Sequence, residues 1–196
     1  MQKVIFPENK NISINMMPIL FGNLNTLPEE LHGYISMINQ CKFNIGETVY
    51  LTITETLLNI GEYNRRPGIH TDATNSLGWG GGGWGSIKDS NSGIYLASND
   101  GASRIWDYDV TSKDVDHFGA LLQNPMGNVI KAEPNVLYHI GEYTPHESLP
   151  SESNHVRQFF RLVGPKIGAW WEQHSTKNPF GVQPKAKILT HSKFNS

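Results

Sequence analysis

A mainly β chain, a sandwich or jelly roll with helical support near its N terminus, is the fold class that three features of the sequence predict. Short runs rich in β-branched and aromatic residues recur, turn formers separate them, and only one segment has clear helical periodicity. That segment, residues 26 to 41 (TLPEELHGYISMINQC), carries Leu31, Tyr34, Ile35 and Ile38 at the spacing of one helical face. Thr26 and Glu29 stand where a capping box would start the helix. After it, GETVYLTITETLL sets Val49, Leu51 and Ile53 against Tyr50, Thr52 and Thr54, the period-2 alternation of a half-buried strand. GIYLAS, SRIWDYDV, NVLYHI and VRQFFRLV read as further strands. Glycines 80 to 83, Asn99-Asp100-Gly101, Asn124-Pro125, Glu133-Pro134-Asn135 and Gly164-Pro165 supply the turns.

Size and charge narrow the function classes. The 196 residues, 38% hydrophobic and 10% aromatic, suffice for one sizeable core. The expectation is a single domain, with N-terminal helical support over about 1–45, a core over about 47–163 and a C-terminal extension over about 164–196. Sixteen Lys and Arg against eighteen Asp and Glu give a net charge of -2, no global case for a nucleic-acid or anionic-membrane partner. The N terminus lacks the apolar stretch of a secretion signal, and no segment approaches the roughly 20 apolar residues of a membrane span. Cys41 has no second cysteine to pair with, so the expectation is a soluble, cytoplasmic protein.

The chemistry concentrates in two places. In Gly68-Ile69-His70-Thr71-Asp72, an extended backbone turns His70 and Asp72 to the same side, so an imidazole and a carboxylate converge on one ion. With 8 His and 18 acidic residues, about 0.7 such pairs arise by chance, and the pair alone reads more readily as a polar turn or surface pair. The second place is far downstream, where His146 precedes a strand with Arg157, Phe159 and Arg161 on one face and Gln158, Phe160 and Leu162 on the other. If the arginine face points inward, its charges require anionic partners, and a bound dicarboxylate is one.

Taken together, His70, Asp72, His146, Arg157 and Arg161 resemble the signature of the Fe(II)/2-oxoglutarate-dependent oxygenase superfamily. That signature is His-x-Asp/Glu, a distal His, and a basic residue on a late strand of a double-stranded β-helix, or jelly roll. The basic residue about eleven positions beyond the distal His, with a second Arg about four further on, looks most like the taurine-dioxygenase arrangement. The resemblance spans roughly residues 47 to 163 in order of elements. It implies His70, Asp72 and His146 as Fe(II) ligands and Arg157 as a bidentate partner of the distal carboxylate of 2-oxoglutarate. Arg161 would serve the second substrate or the C1 end of the cosubstrate. Two imidazoles and a carboxylate on one face of an octahedral Fe(II) leave three positions for a chelating 2-oxo acid and O2. The activity implied is hydroxylation or demethylation of a second substrate, with decarboxylation of 2-oxoglutarate to succinate and CO2. No motif singles out a protein side chain, a nucleobase, an amino acid or a lipid as that substrate.

Other residues are weighed against this set. His139, inside the apolar run VLYHI, rivals His146 as distal ligand but reads better as a strand histidine. His117 reads as a turn or helix-start residue, Glu147 as pointing away from the ion, and His155 and His174 have no spacing partner. Arg65 and Arg66 read as a solvated strand end or as a greeting for an anionic substrate. GWGGGGWG, pinned by Trp79 and Trp84, is either a lid over the site or a connecting loop, while Trp106, Trp170 and Trp171 read as packing residues. Two alternatives remain: a cupin-type metalloenzyme without 2-oxoglutarate, whose His-x-His pair is absent, and a non-catalytic jelly-roll binding module with the tryptophans as stacking platforms.

Overall fold

The computed structural model describes residues 2–65, 67–72, 93–116 and 119–192. The glycine run with Trp79 and Trp84, and so the choice between lid and connector, lies outside the described residues, as do Arg66 and His117. The strands are β1 (Gln2–Lys3), β2 (Ser13–Leu20), β3 (Thr48–Leu58), β4 (Ile94–Ser98), β5 (Ser103–Trp106), β6 (Val129–Lys131), β7 (Val136–Ile140), β8 (His146–Ser148), β9 (His155–Val163), β10 (Ala169–Trp171) and β11 (Lys187–Leu189). A six-stranded sheet in the order β1-β7-β4-β9-β3-β2 pairs antiparallel throughout, and β6-β5-β8 form a second antiparallel sheet. The chain is mainly β, and its sheets are compatible with a β-sandwich.

The large sheet buries both faces, which corrects the expectation of a half-buried β3. Val49, Leu51 and Ile53 join one apolar cluster, Tyr50 joins another, and Thr52 is also fully buried. A strand between two neighbours with a core on each face has no solvated side, whatever its alternation suggests. The first cluster lies under the N-terminal segment and gathers Leu31, Tyr34, Met37, Leu137, Phe160 and Leu162. The second joins Leu96, Tyr138, Phe159 and Val163 of the large sheet to Ile105 of the small one, so the two sheets meet across it.

The expected single helix over 26–41 is instead a broken series. Leu24–Thr26 and Glu29–Tyr34 are 3-10 turns, and only Ile35–Ile38, α1, is α-helical. Pro28 is the cause: the residue before a proline avoids helical backbone, and Leu27 is extended at φ -106° and ψ 120°. Thr26 is therefore no cap for the longer turn; its hydroxyl donates to the Asn23 carbonyl. Gly33 keeps the segment tight, since a Cβ there would stand 2.7 Å from the Pro7 ring.

Strand β2 escapes period-2 reading because its register shifts between Ile14 and Met17, with Met16 at φ +49°, and it also carries Pro18. A proline fits a sheet only where its missing N–H faces no partner, and β2 is the edge strand, bonded to β3 alone. SRIWDYDV stops being a strand at Trp106, after which the Asp107 carboxylate accepts the N–H of Asn128, the residue before β6. The C-terminal extension folds back: β10 and β11 pair in parallel, the Trp170 indole donates to the Met16 carbonyl at 2.8 Å, and Asn178 donates to Pro18 and Thr26 carbonyls. Trp106, Trp170 and Trp171 are buried. Among the described residues, no helix is long and apolar enough to cross a membrane.

Candidate metal centre

The site begins with backbone pairing. The N–H of His70 donates to the carbonyl of His146 at 3.0 Å, and the N–H of His146 returns a bond to the carbonyl of His70 at 2.9 Å. This reciprocal pair sets His70 against the edge of β8 as an isolated antiparallel bridge, with Pro67 bridged to Ser148. Residues opposite one another in an antiparallel pair share a face. Ile105, opposite His146 in β5, belongs to the cluster between the sheets, so His146 and His70 also turn inward. Their rings lie 4.6 Å apart, centroid to centroid. Asp72 follows two residues on, with the intervening Thr71 N–H held by the Gly119 carbonyl.

One ligand atom each from His70, Asp72 and His146 falls within a sphere of mutual distances no greater than 4.8 Å. Both imidazoles are oriented the same way. His70 Nδ1 lies 2.7 Å from the Gly68 carbonyl and His146 Nδ1 lies 3.0 Å from the Thr144 carbonyl. A carbonyl accepts only, so each Nδ1 carries the proton and each Nε2 the lone pair, the usual preparation of a metal-ligating histidine. Gly68 at φ +82° supplies the backbone turn that brings its carbonyl back onto the ring, a conformation side chains disfavour. Thr144 is anchored in turn, its hydroxyl bonding the Gly141 N–H and Asp109.

From the facing sheet, β9 turns Arg157, Phe159 and Arg161 to the face that meets the small sheet, beside the short Thr56, Thr54 and Thr52 of β3. Arg161 Nη1 lies 3.2 Å from Asp72 Oδ2, which ties the two sheets together across the site. Burial opposes ionisation of Asp72, but Arg161, then His146, His70 and Arg65, hold its carboxyl well below the usual range. Arg157 is only 1% exposed and directs Nε to Asp100 Oδ1 at 2.9 Å. Burial opposes ionisation of Asp100 too, yet the charge of Arg157, the Ala102 N–H and Ser98 keep it below the ordinary carboxylate value. Two guanidinium nitrogens, Arg157 Nη1 and Arg161 Nε, are buried with no hydrogen-bond partner among the described residues.

Asp100 escapes a reading from sequence, and of the two readings of Arg65 the solvated strand end fails. Asp100 looked like a turn residue, and it is one, since Oδ1 accepts the Ala102 N–H two positions on; nothing local says that the same carboxylate reaches Arg157 and His155. His155, expected to have no partner, lies 3.2 Å from Asp100 Oδ2. Arg65 is not a solvated strand end: it is half-buried with its guanidinium 5.4 Å from the Phe159 ring centroid, and burial together with Arg161 lowers its pKa to about 10. His139 sits on the opposite face of the large sheet, stacked on Tyr95 at 4.2 Å, and takes no part in the cluster. Glu147 pairs with Arg104 at 2.9 Å, and the ring of His174 lies 3.1 Å from the Ser192 hydroxyl.

Comparison with protein-family models, curated proteins and solved structures finds no match to this chain.

Proposed function

We propose that this chain is an Fe(II)- and 2-oxoglutarate-dependent dioxygenase with a double-stranded β-helix core. The observation that carries the reading is the cluster of two imidazoles and one carboxylate, with Arg161 on its carboxylate and a buried nitrogen of both Arg157 and Arg161 without a partner among the described residues. Two imidazoles and a carboxylate are the donor set that suits Fe(II) with open positions. The orphaned Arg157 Nη1 and Arg161 Nε suit an anionic oxygen ligand, because a buried donor left unpaired costs about 1–3 kcal/mol. The chemistry supplied by the bound metal and cosubstrate is oxidative decarboxylation of 2-oxoglutarate to succinate and CO2, coupled to hydroxylation of a C–H bond or to demethylation.

The chain's own residues have separable tasks in this reading. His70 and His146 present fixed lone pairs, and their backbone pair sets the distance between them. Asp72 enters as a full carboxylate, oriented by Arg161. Arg157 would hold the distal carboxylate through its outer nitrogens, while Asp100 clamps the Nε edge and stops the guanidinium from rotating. Phe159, between the two arginines on β9, limits water around both.

The deciding experiment is an anaerobic titration of Fe(II) and then 2-oxoglutarate, watched for the weak visible charge-transfer band of the chelate. Appearance of the band, followed by succinate release on admitting O2, supports the reading. Metal binding with no band and no succinate refutes it and leaves a metalloprotein of another kind.

A further inference from the structure

We infer that the second substrate carries an anionic oxygen group, a carboxylate, phosphate or sulfonate, that docks on Arg65. This rests on the dioxygenase reading and goes on to the substrate class. Three guanidiniums, Arg65, Arg157 and Arg161, gather around Phe159 and Asp72. Asp100 answers Arg157 and Asp72 answers Arg161. Arg65 makes no ion pair among the described residues. The charges that act on it are Arg161, Asp72 and Arg157, two of them repulsive, and Asp72 is already engaged by Arg161 and by the ligand cluster.

Charge balance then points outward. A divalent ion and a dicarboxylate cancel one another, so among the described residues the filled site would still hold one more positive charge than negative, and Arg65 is where it resides. Arg65 and Arg157 both lie within 6 Å of one ring centroid, at 5.4 and 5.6 Å. The ring attracts each cation, but the two cations repel one another, and an anion between them or beside Arg65 relieves that repulsion. Arg65 is also the one of the three that is half-exposed, so it can meet a ligand arriving from solvent after the cosubstrate has entered.

The test uses the full chain loaded with redox-inert Mn(II) and N-oxalylglycine, a 2-oxoglutarate analogue that is not decarboxylated. Methanesulfonate is titrated in as the anionic probe, with dimethyl sulfone as its neutral counterpart, and binding is read by saturation-transfer NMR. Wild type is expected to bind methanesulfonate and not the sulfone. Arg65→Gln should weaken methanesulfonate tenfold or more, about 1.4 kcal/mol, with Arg65→Lys in between. Equal binding by wild type and Arg65→Gln, equal binding of the neutral probe, or no methanesulfonate binding by wild type overturns the inference. Loss of N-oxalylglycine instead of methanesulfonate in Arg65→Gln assigns Arg65 to the cosubstrate and also overturns it. If wild type fails to bind N-oxalylglycine at all, the dioxygenase reading falls. The same titration without metal or analogue then decides whether Arg65 holds an anion.

Discussion

Both faces of β9 carry buried polar groups and treat them in opposite ways. On the N-terminal side, Gln158 donates to Glu55 at 2.9 Å and to the Pro7 carbonyl at 3.0 Å. Glu55 also accepts the Tyr34 hydroxyl at 2.7 Å and the N–H groups of Lys10 and Ile12. Every oxygen of that carboxylate is used, and the network closes on itself. On the other face, Arg157 and Arg161 are each paired once and each keeps a buried nitrogen without a partner among the described residues. A satisfied network rigidifies a core, whereas an unsatisfied one is stable only if something else completes it. The difference is what supports the proposed site on the second face, without any appeal to relatives.

Substitution of the cluster ligands should give the largest effect. His70→Ala, Asp72→Ala and His146→Ala are each expected to abolish specific Mn(II) or Fe(II) binding and succinate formation. Circular dichroism should remain that of the folded chain. Retention of tight metal binding by any two of the three would place the metal elsewhere.

Glu55→Leu breaks the opposite face. It leaves the Tyr34 hydroxyl, the Gln158 amide and two backbone N–H groups without their acceptor, and the expected cost is about 3 kcal/mol or more in denaturant unfolding. Metal affinity of the remaining folded protein should not change. The effect has a pH signature. Burial alone would raise the Glu55 carboxyl, but the Ile12 N–H, Gln158, Tyr34 and the Lys10 N–H together leave it below its ordinary value. A depressed folded pKa contributes stability that is fully present above the unfolded value, about 4.3, and is lost as pH falls through the folded one. The gap between wild type and Glu55→Leu should thus be constant from pH 5 to 7 and narrow only below about pH 4.

Arg157→Ala tests the open face more finely. Loss of a charge-assisted hydrogen bond to a carboxylate, about 1.5 to 3 kcal/mol, should weaken 2-oxoglutarate roughly tenfold to a hundredfold. Preference over pyruvate, which lacks the distal carboxylate, should largely disappear, and Arg157→Lys should fall in between because it keeps the charge and loses the fork. Unchanged preference in Arg157→Ala with a large loss in Arg161→Ala would exchange the roles of the two arginines.

The smallest effect belongs to His139→Ala. His139 stacks on Tyr95 on the face away from the cluster, so the loss includes that aromatic contact, about 0.5 to 1.5 kcal/mol of stability, with metal binding intact. Metal loss in this variant would mean that the distal ligand is misassigned.

These contrasts also show where sequence reading succeeds. Strands β3, β4, β7 and β9 were legible because dense β-branched and aromatic runs leave few alternatives. β8 was not: His146, Glu147 and Ser148 have no strand character of their own and are extended because β5 and the His70 segment flank them. His70, Asp72 and His146 could be nominated from residue type and order, and the structure brings these three together. Asp100 could not, because its local role as an Asx turn fully accounts for its presence in the sequence. Its second role depends on a strand more than fifty positions away.

The reciprocal bonds between His70 and His146 have a consequence for how the site can be watched. Each amide is covered by the other residue's carbonyl, so neither proton reaches solvent until the two segments part. The two amides should therefore exchange with deuterium with one common protection factor, set by the free energy of opening that single contact. An ion held by both imidazoles must slow both amides by the same factor, which makes the backbone itself a gauge of metal occupancy.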